Sequence, residues 1–162
     1  MIAVKKGLSL PLVYNTGGYD SVEALRLLEG VVDIYLPDIK YADSQKALKY
    51  SKAPDYWQTV QKAIKEMHRQ VGDLKIGKDG LAERGLLVRH LVLPNGLAGT
   101  EKIMKFLAEK ISKDTYINIM AQYYPTHLAA RYPELNRRIT SKEYEEAVEA
   151  ARSYGLWRFD KE

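Results

Sequence analysis

The stretch "RGLLVRHLVLPNG", residues 84–96, decides the fold. Leu86 to Leu93 reads as a strand, because branched apolar residues fill it and only Arg89 and His90 interrupt them. Pro94-Asn95-Gly96 is a turn signal. Behind it "AGTEKIMKFLAEKI" (98–111) carries the spacing of an amphipathic helix, with Thr100 as the expected N-cap. A strand that runs through a polar, glycine-bearing turn into a helix is the repeating step of an α/β fold.

The same step recurs along the chain. "PLVYNT" (11–16) reads as a strand closed by Gly17-Gly18, and Ser21 then caps a short helix, "VEALRLLEG", that ends at Gly30. "VVDIYLPD" (31–38) is a second strand, expected to stop at Pro37. Between 53 and 73, Trp57, Val60, Ala63, Ile64, Met67 and Val71 fall at helical spacing, and Gly72 follows them. A short ribbon is expected around Lys78-Asp79-Gly80. "TYINIMAQYYP" (115–125) is a fourth main strand, and "TSKEYEEAVEAARSYG" (140–155) is a helix opened by a capping box of Thr140 and Glu143. "LWRFD" (156–160) reads as a last short strand, "PTHLAARYPELNRR" (125–138) as a covering loop, and residues 2–7 as the tail of a helix. Alternating strands and helices predict a parallel sheet, within one domain spanning 1–162.

Composition narrows the function classes. The chain has 162 residues and 46% hydrophobic residues, enough for one sizeable core. Its net charge of +4 comes from interspersed charges, so a solvated surface is expected and no nucleic-acid partner. No stretch reaches the roughly 20 apolar residues of a membrane span, and none resembles a secretory signal, so a cytoplasmic protein without a membrane partner is expected. The absence of cysteine excludes a disulfide, a thiolate nucleophile and a cysteine-held iron–sulfur site within these residues. His68, His90 and His127 show no metal-ligand spacing, and no metal site is expected.

Ligands of α/β sheets bind beyond the C-terminal ends of the parallel strands. Asn15, Thr16, Gly17 and Gly18 lie there, as a hydroxyl-binding turn or a plain one. Asp38 and Lys40, two apart, point the same way and either pair with each other or hold a charged ligand. Arg89 and His90 point to opposite sides, and Arg89 needs either an ion-pair partner or an anionic ligand group. Gln122, Tyr123 and Tyr124 end the fourth strand, where a tyrosine either stacks on a flat ring or packs with a wet hydroxyl.

Read together, "LPLVYNTGGYDSVEALRLLEGVVDIYLPDIKYAD", "YSKAPDYW", "AIKEMHRQVGDL", "RGLLVRHLVLPNG" and "INIMAQYYP" resemble the C-terminal part of radical S-adenosylmethionine proteins related to pyruvate formate-lyase activating enzyme. The resemblance covers nearly the whole chain. It implies an incomplete (β/α) barrel, a partial TIM-like barrel with parallel strands. Complete members hold a four-iron four-sulfur cluster on an upstream CxxxCxxC loop, and that cluster cleaves S-adenosylmethionine to a 5′-deoxyadenosyl radical. By residue, the resemblance points to Asn15, Thr16 and Gly17 near the ribose and methionine moiety, to Asp38 and Lys40 at the next strand end, to Arg89 and His90 at the following one, and to Gln122 and Tyr123 beside the adenine. The cluster ligands carry over to no position.

The resulting expectation is a C-terminal portion of such an enzyme, inactive alone, that binds S-adenosylmethionine weakly or not at all. A binding subunit of a split enzyme, with the cluster half on a separate partner chain, is the second reading. A metal-independent α/β enzyme using Asp38, Lys40 and Arg89 is the third. The uncharged strand 11–16 lacks the usual edge protection, so a homo-oligomer is expected.

Overall fold

A computed structural model describes residues 5–159. Five strands and five α-helices follow one another along these residues. The strands are β1 (Val13–Thr16), β2 (Ile34–Ile39), β3 (Lys75–Ile76), β4 (Ala82–Leu91) and β5 (Tyr116–Met120). The helices are α1 (Val22–Arg26), α2 (Ser44–Ser51), α3 (Tyr56–Val71), α4 (Thr100–Lys110) and α5 (Ser141–Ser153). In the sheet, β1 pairs with β2, β2 with β4, and β4 with β5, all parallel, while β3 runs antiparallel along the first part of β4. This is an open, mainly parallel wall, as expected of a partial barrel.

Register fixes what each face carries. Tyr14, Tyr35 and Leu86 lie side by side, as do Ile39, His90 and Ile119 near the C-terminal ends of their strands. This face is sealed by helices. Tyr35, Ile39, Leu86, Val88, Ile117 and Ile119 form one buried cluster with Trp57, Val60, Ile64 and Met67 of α3 and Ile103, Met104, Phe106 and Leu107 of α4. All six residues read from the helical spacing of α3 are buried. On the opposite face Leu36, Leu87, Leu91, Tyr116 and Met120 are only half-buried. The wall is therefore dry on one side and open on the other.

Several sequence expectations shift. β2 continues through Pro37 to Ile39, because the extended backbone tolerates proline's fixed φ at the loss of one ladder donor. Thr100 does not cap α4. Gly99 holds the N-cap position, and the Thr100 hydroxyl turns inward to His90 Nε2 at 2.9 Å. α2 has no counterpart in the sequence reading. It is capped by the Asp43 carboxylate and buries only Ala47, so its apolar period is too weak to detect. The ribbon is present as β3 and the start of β4. Gly85 lets it fold back, since a Cβ there would lie 2.5 Å from the Asp73 carbonyl oxygen. The capping box of Thr140 and Glu143 forms as expected. Of the last strand, a single parallel bridge joins Phe159 to Ile117. Of the helix tail expected at 2–7, residues 2–4 lie outside the described residues.

Candidate functional site

A polar row crosses the open face where the strands end. Asp38 and Arg89 are register partners on β2 and β4, and Arg89 is in turn beside Asn118 of β5. The Arg89 guanidinium donates to Asp38 Oδ1 through Nε at 2.8 Å and lies 2.7 Å from it through Nη2. The same Nη2 donates to Asn15 Oδ1 of β1 at 2.9 Å. The other Asp38 oxygen takes the Lys40 ammonium at 3.1 Å. Residues from three strands thus form one connected network.

Two cations share one carboxylate in this row, so it retains a positive charge. Its members are neither sealed nor fully wet: the Arg89 and Asp38 side chains are 27% and 15% exposed. An ion pair at that depth is screened less than a surface pair and keeps its geometry. Toward the N-terminal ends of the strands the half-buried Leu36, Leu87 and Tyr116 form an apolar floor beneath the row, and Leu91 and Met120 lie beyond it on the same face. The arrangement offers hydrogen bonds and fixed charge at one end and apolar surface beneath, which suits an amphipathic ligand.

His90 does not join the row. Its neighbour Arg89 faces the open side, so strand alternation sends His90 into the helix-covered core. It is completely buried, with Nδ1 against the Ile39 carbonyl at 2.8 Å and Nε2 against Thr100. Burial pulls its pKa down to about 4, against the smaller opposing effect of the Ile39 hydrogen bond. The structure thus places His90 in the core, on the face of the sheet away from the row.

The turn after β1 separates two glycines by role. Gly18 has φ +77°, and a Cβ there would overlap the Asp38 carbonyl oxygen, so it serves the packing of β1 on β2. Gly17 faces open space, with nothing within 4 Å of a Cβ. Thr16 is engaged locally. Its hydroxyl donates to Asp20 at 2.5 Å and accepts from the Gly18 amide at 3.2 Å. Gln122 is exposed and reaches only the Met120 sulfur, at 3.4 Å. The Tyr123 hydroxyl donates to the Leu135 carbonyl at 2.8 Å, which commits it to the loop that follows. The structure therefore brings together Asn15, Asp38, Lys40 and Arg89, and leaves Thr16, Gln122 and Tyr123 outside their network.

Two features escaped the sequence reading. Asn118 stands beside Arg89, and the alternation of "YINIM" would have exposed it. The loop 121–139 is tied down rather than loose. Glu134 accepts from Lys49 at 2.6 Å and from Tyr50 at 2.8 Å, both on α2. Arg137 binds both Glu143 oxygens and Asn95, while Glu143 also accepts the Asn95 amide at 2.7 Å. Arg137 holds the Glu143 carboxyl far below the usual carboxylate range. No local pattern announces such a knot, because its partners are far apart in the chain.

No protein-family profile matches the chain. An uncharacterized protein of Methanocaldococcus jannaschii is 35% identical over 96% of this chain, and the chain spans 44% of that relative's length. A crystal structure of a domain of pyruvate-formate lyase-activating enzyme from Bacteroides vulgatus superimposes with a TM-score of 0.58. That match covers 85% of this chain and 72% of the other at 15% identity, so it is a likeness of fold. At that level it bears out the resemblance carried by the sequence motifs.

Proposed function

We propose that the chain forms the C-terminal part of a radical S-adenosylmethionine protein of the glycyl-radical-enzyme-activating type, and that its open sheet face is one wall of the cofactor cleft. The observation that carries this reading is the connected row of Asn15, Arg89, Asp38 and Lys40 above a half-exposed apolar floor. These residues stand on the strand ends to which the motif resemblance assigns the family's ligand contacts. S-adenosylmethionine is amphipathic and polyvalent, as the row and floor require. Asn15 and Asp38 would receive its hydroxyl and amine donors, and Arg89 would orient Asp38 and Asn15 toward it. Gly17 would leave room for close approach. Bound S-adenosylmethionine would supply the sulfonium whose reduction gives a 5′-deoxyadenosyl radical.

The residues present do not fit the iron–sulfur cluster. Such a cluster is held by cysteine thiolates, and the sequence contains none. Among the described residues no group of three or more His, Asp or Glu could hold a metal ion. No step is assigned through the cluster. Its ligands would come from protein outside these 162 residues, on the same polypeptide or on a cluster-bearing partner chain, and the chain by itself would be inactive. In isolation it would pair with itself along the free edge of β1. The proposed setting is cytoplasmic, and no helix among the described residues is long and apolar enough to cross a membrane.

Titration of S-adenosylmethionine into the isotopically labelled chain, followed by amide chemical shifts, tests the wall. Saturable shifts are expected around Asn15, Asp38 and Arg89, with a dissociation constant no tighter than about 1 mM, equivalent to about 4 kcal/mol. Asp38→Ala should abolish them. Shifts that avoid these residues, or micromolar binding indifferent to Asp38→Ala, would overturn the reading.

A further inference from the structure

The positive charge of the chain is unevenly placed. Residues 40–52, from the exit of β2 through α2, hold four lysines and one aspartate, and residues 121–139 hold three arginines and one glutamate. Together the two segments carry +5, more than the +4 of the whole chain, so all other residues sum to −1. Distant in sequence, the segments are joined in space. Glu134 accepts from Lys49 and Tyr50, and the Tyr50 ring meets Tyr132 edge-on at 5.2 Å. The Lys49 ammonium lies 4.8 Å from the centre of the Tyr50 ring and 5.5 Å from that of Tyr132. Both segments leave the C-terminal ends of strands, so this basic surface borders the rim that carries the polar row.

Three of its cations are matched within the chain: Lys40 by Asp38, Lys49 by Glu134 and Arg137 by Glu143. Lys46, Lys52, Arg131 and Arg138 have no carboxylate within ion-pair distance among the described residues, and the last three are exposed. Apolar side chains stand in water on the same two segments. Leu48 is 42% exposed, Leu128 40% and Tyr124 59%. Unmatched cations around wet apolar side chains have the make-up of a binding surface, a charged rim about apolar anchors. The rings decide which polyanion it fits. A single-stranded nucleic acid is held by bases stacked on open ring faces. Here the chain's own cations already engage the rings, with Arg138 5.0 Å from the centre of Tyr124 and Lys49 against Tyr50 and Tyr132. Leu48 and Leu128 call for aliphatic partners, which a nucleic acid lacks.

We propose that α2 and the loop 121–139 together form a docking surface for an acidic stretch of polypeptide that carries aliphatic side chains. Lys46, Lys52, Arg131 and Arg138 meet its carboxylates, and Leu48 and Leu128 its apolar residues. Charge of this kind speeds and orients the encounter, and the apolar contacts hold the register. The contacts of Glu134 with Lys49 and Tyr50 keep the two halves of the surface in one piece. The surface stands on charge placement and exposure, and it does not depend on the identity of the ligand in the cleft.

Fluorescence anisotropy with three labelled probes of equal negative charge tests this: a peptide of repeating Glu-Glu-Leu, an oligoglutamate and a single-stranded oligothymidylate. The leucine-bearing peptide is expected to bind tightest, and to weaken as salt rises. Lys52→Glu with Arg131→Glu should weaken it about tenfold. Lys62→Glu with Lys65→Glu, exposed on α3, changes the net charge equally and should leave binding within about twofold. Leu128→Ser should bring the peptide down to the level of oligoglutamate. Amide shifts of the unaltered, isotopically labelled chain need no variant to fold, and the peptide should move those of α2 and 121–139 rather than those of α3. Equal weakening by the two charge-reversed pairs, shifts that avoid α2 and the loop, or oligothymidylate binding as tightly as the leucine-bearing peptide would overturn the proposal.

Discussion

Arg89 and His90 are adjacent in one strand and have opposite fates. Arg89 is partly exposed and tied to Asp38 and Asn15, whereas His90 is buried and tied to Ile39 and Thr100. The burial of His90 has a consequence for stability against pH. Its folded pKa lies at about 4, below the ordinary 6.5, so the unfolded chain binds more protons between those values. The contribution is fully present above pH 6.5 and is lost as pH falls toward 4. At one unit per 1.36 kcal/mol the loss is roughly 3 kcal/mol. Chemical denaturation at a series of pH values should show this decline beginning above the carboxylate range, and His90→Gln should flatten it. A stability unchanged from pH 7 to 5 in the parent chain would contradict the assignment. Alternation in the sequence establishes that the two residues part company. Which of them faces the core depends on where the helices lie, and that is not written in the strand itself.

At the scale of the element, the strands and long helices were legible because their periods are strong. The period of α3 is intact in the sequence, while α2 was hidden because one buried alanine sets no period. The Asp43 cap alone marks its start, and Asp is also a common turn residue. Thr100 and Thr140 show the limit of capping signals. Both precede a helical pattern, but Thr100 is claimed by a buried histidine from another element. The edge of β1 carries a prediction of its own. Among the described residues β1 pairs only with β2, and Leu10 and Val13 are 73% and 53% exposed. Residues 7–19 carry no charge, so two copies can approach without repulsion. Sedimentation at micromolar concentration should show a dimer or larger species, and Val13→Lys should shift it toward monomer without lowering the melting temperature appreciably. A parent chain that sediments as a monomer would refute the edge pairing.

At the scale of the molecule, the order of strands and helices gave the class, and the parallel wall follows from it. The polar row was half legible: the spacing of Asp38 and Lys40 and the need of Arg89 for a partner were visible, but the register joining them was not. Tyr123 shows how a loop can engage what a strand delivers, through its bond to the Leu135 carbonyl. The missing thiolates lead to a direct expectation. Anaerobic incubation of the chain with iron and sulfide should return a colourless protein, and a stoichiometric visible chromophore would show that other ligands suffice.

The one-sided wall also shapes the thermal behaviour of the chain. Hydration of apolar surface sets the heat-capacity change of unfolding, and 162 residues would ordinarily give roughly 2 kcal/mol/K. Leu36, Leu87, Leu91, Tyr116 and Met120 are already partly hydrated in the folded chain, so the increment is smaller and the stability curve flatter. A partner that covered that face would restore the difference as a negative heat capacity of association. Such a contact would weaken on cooling, so chilling would part the chain from that partner while the helix-sealed side remained folded.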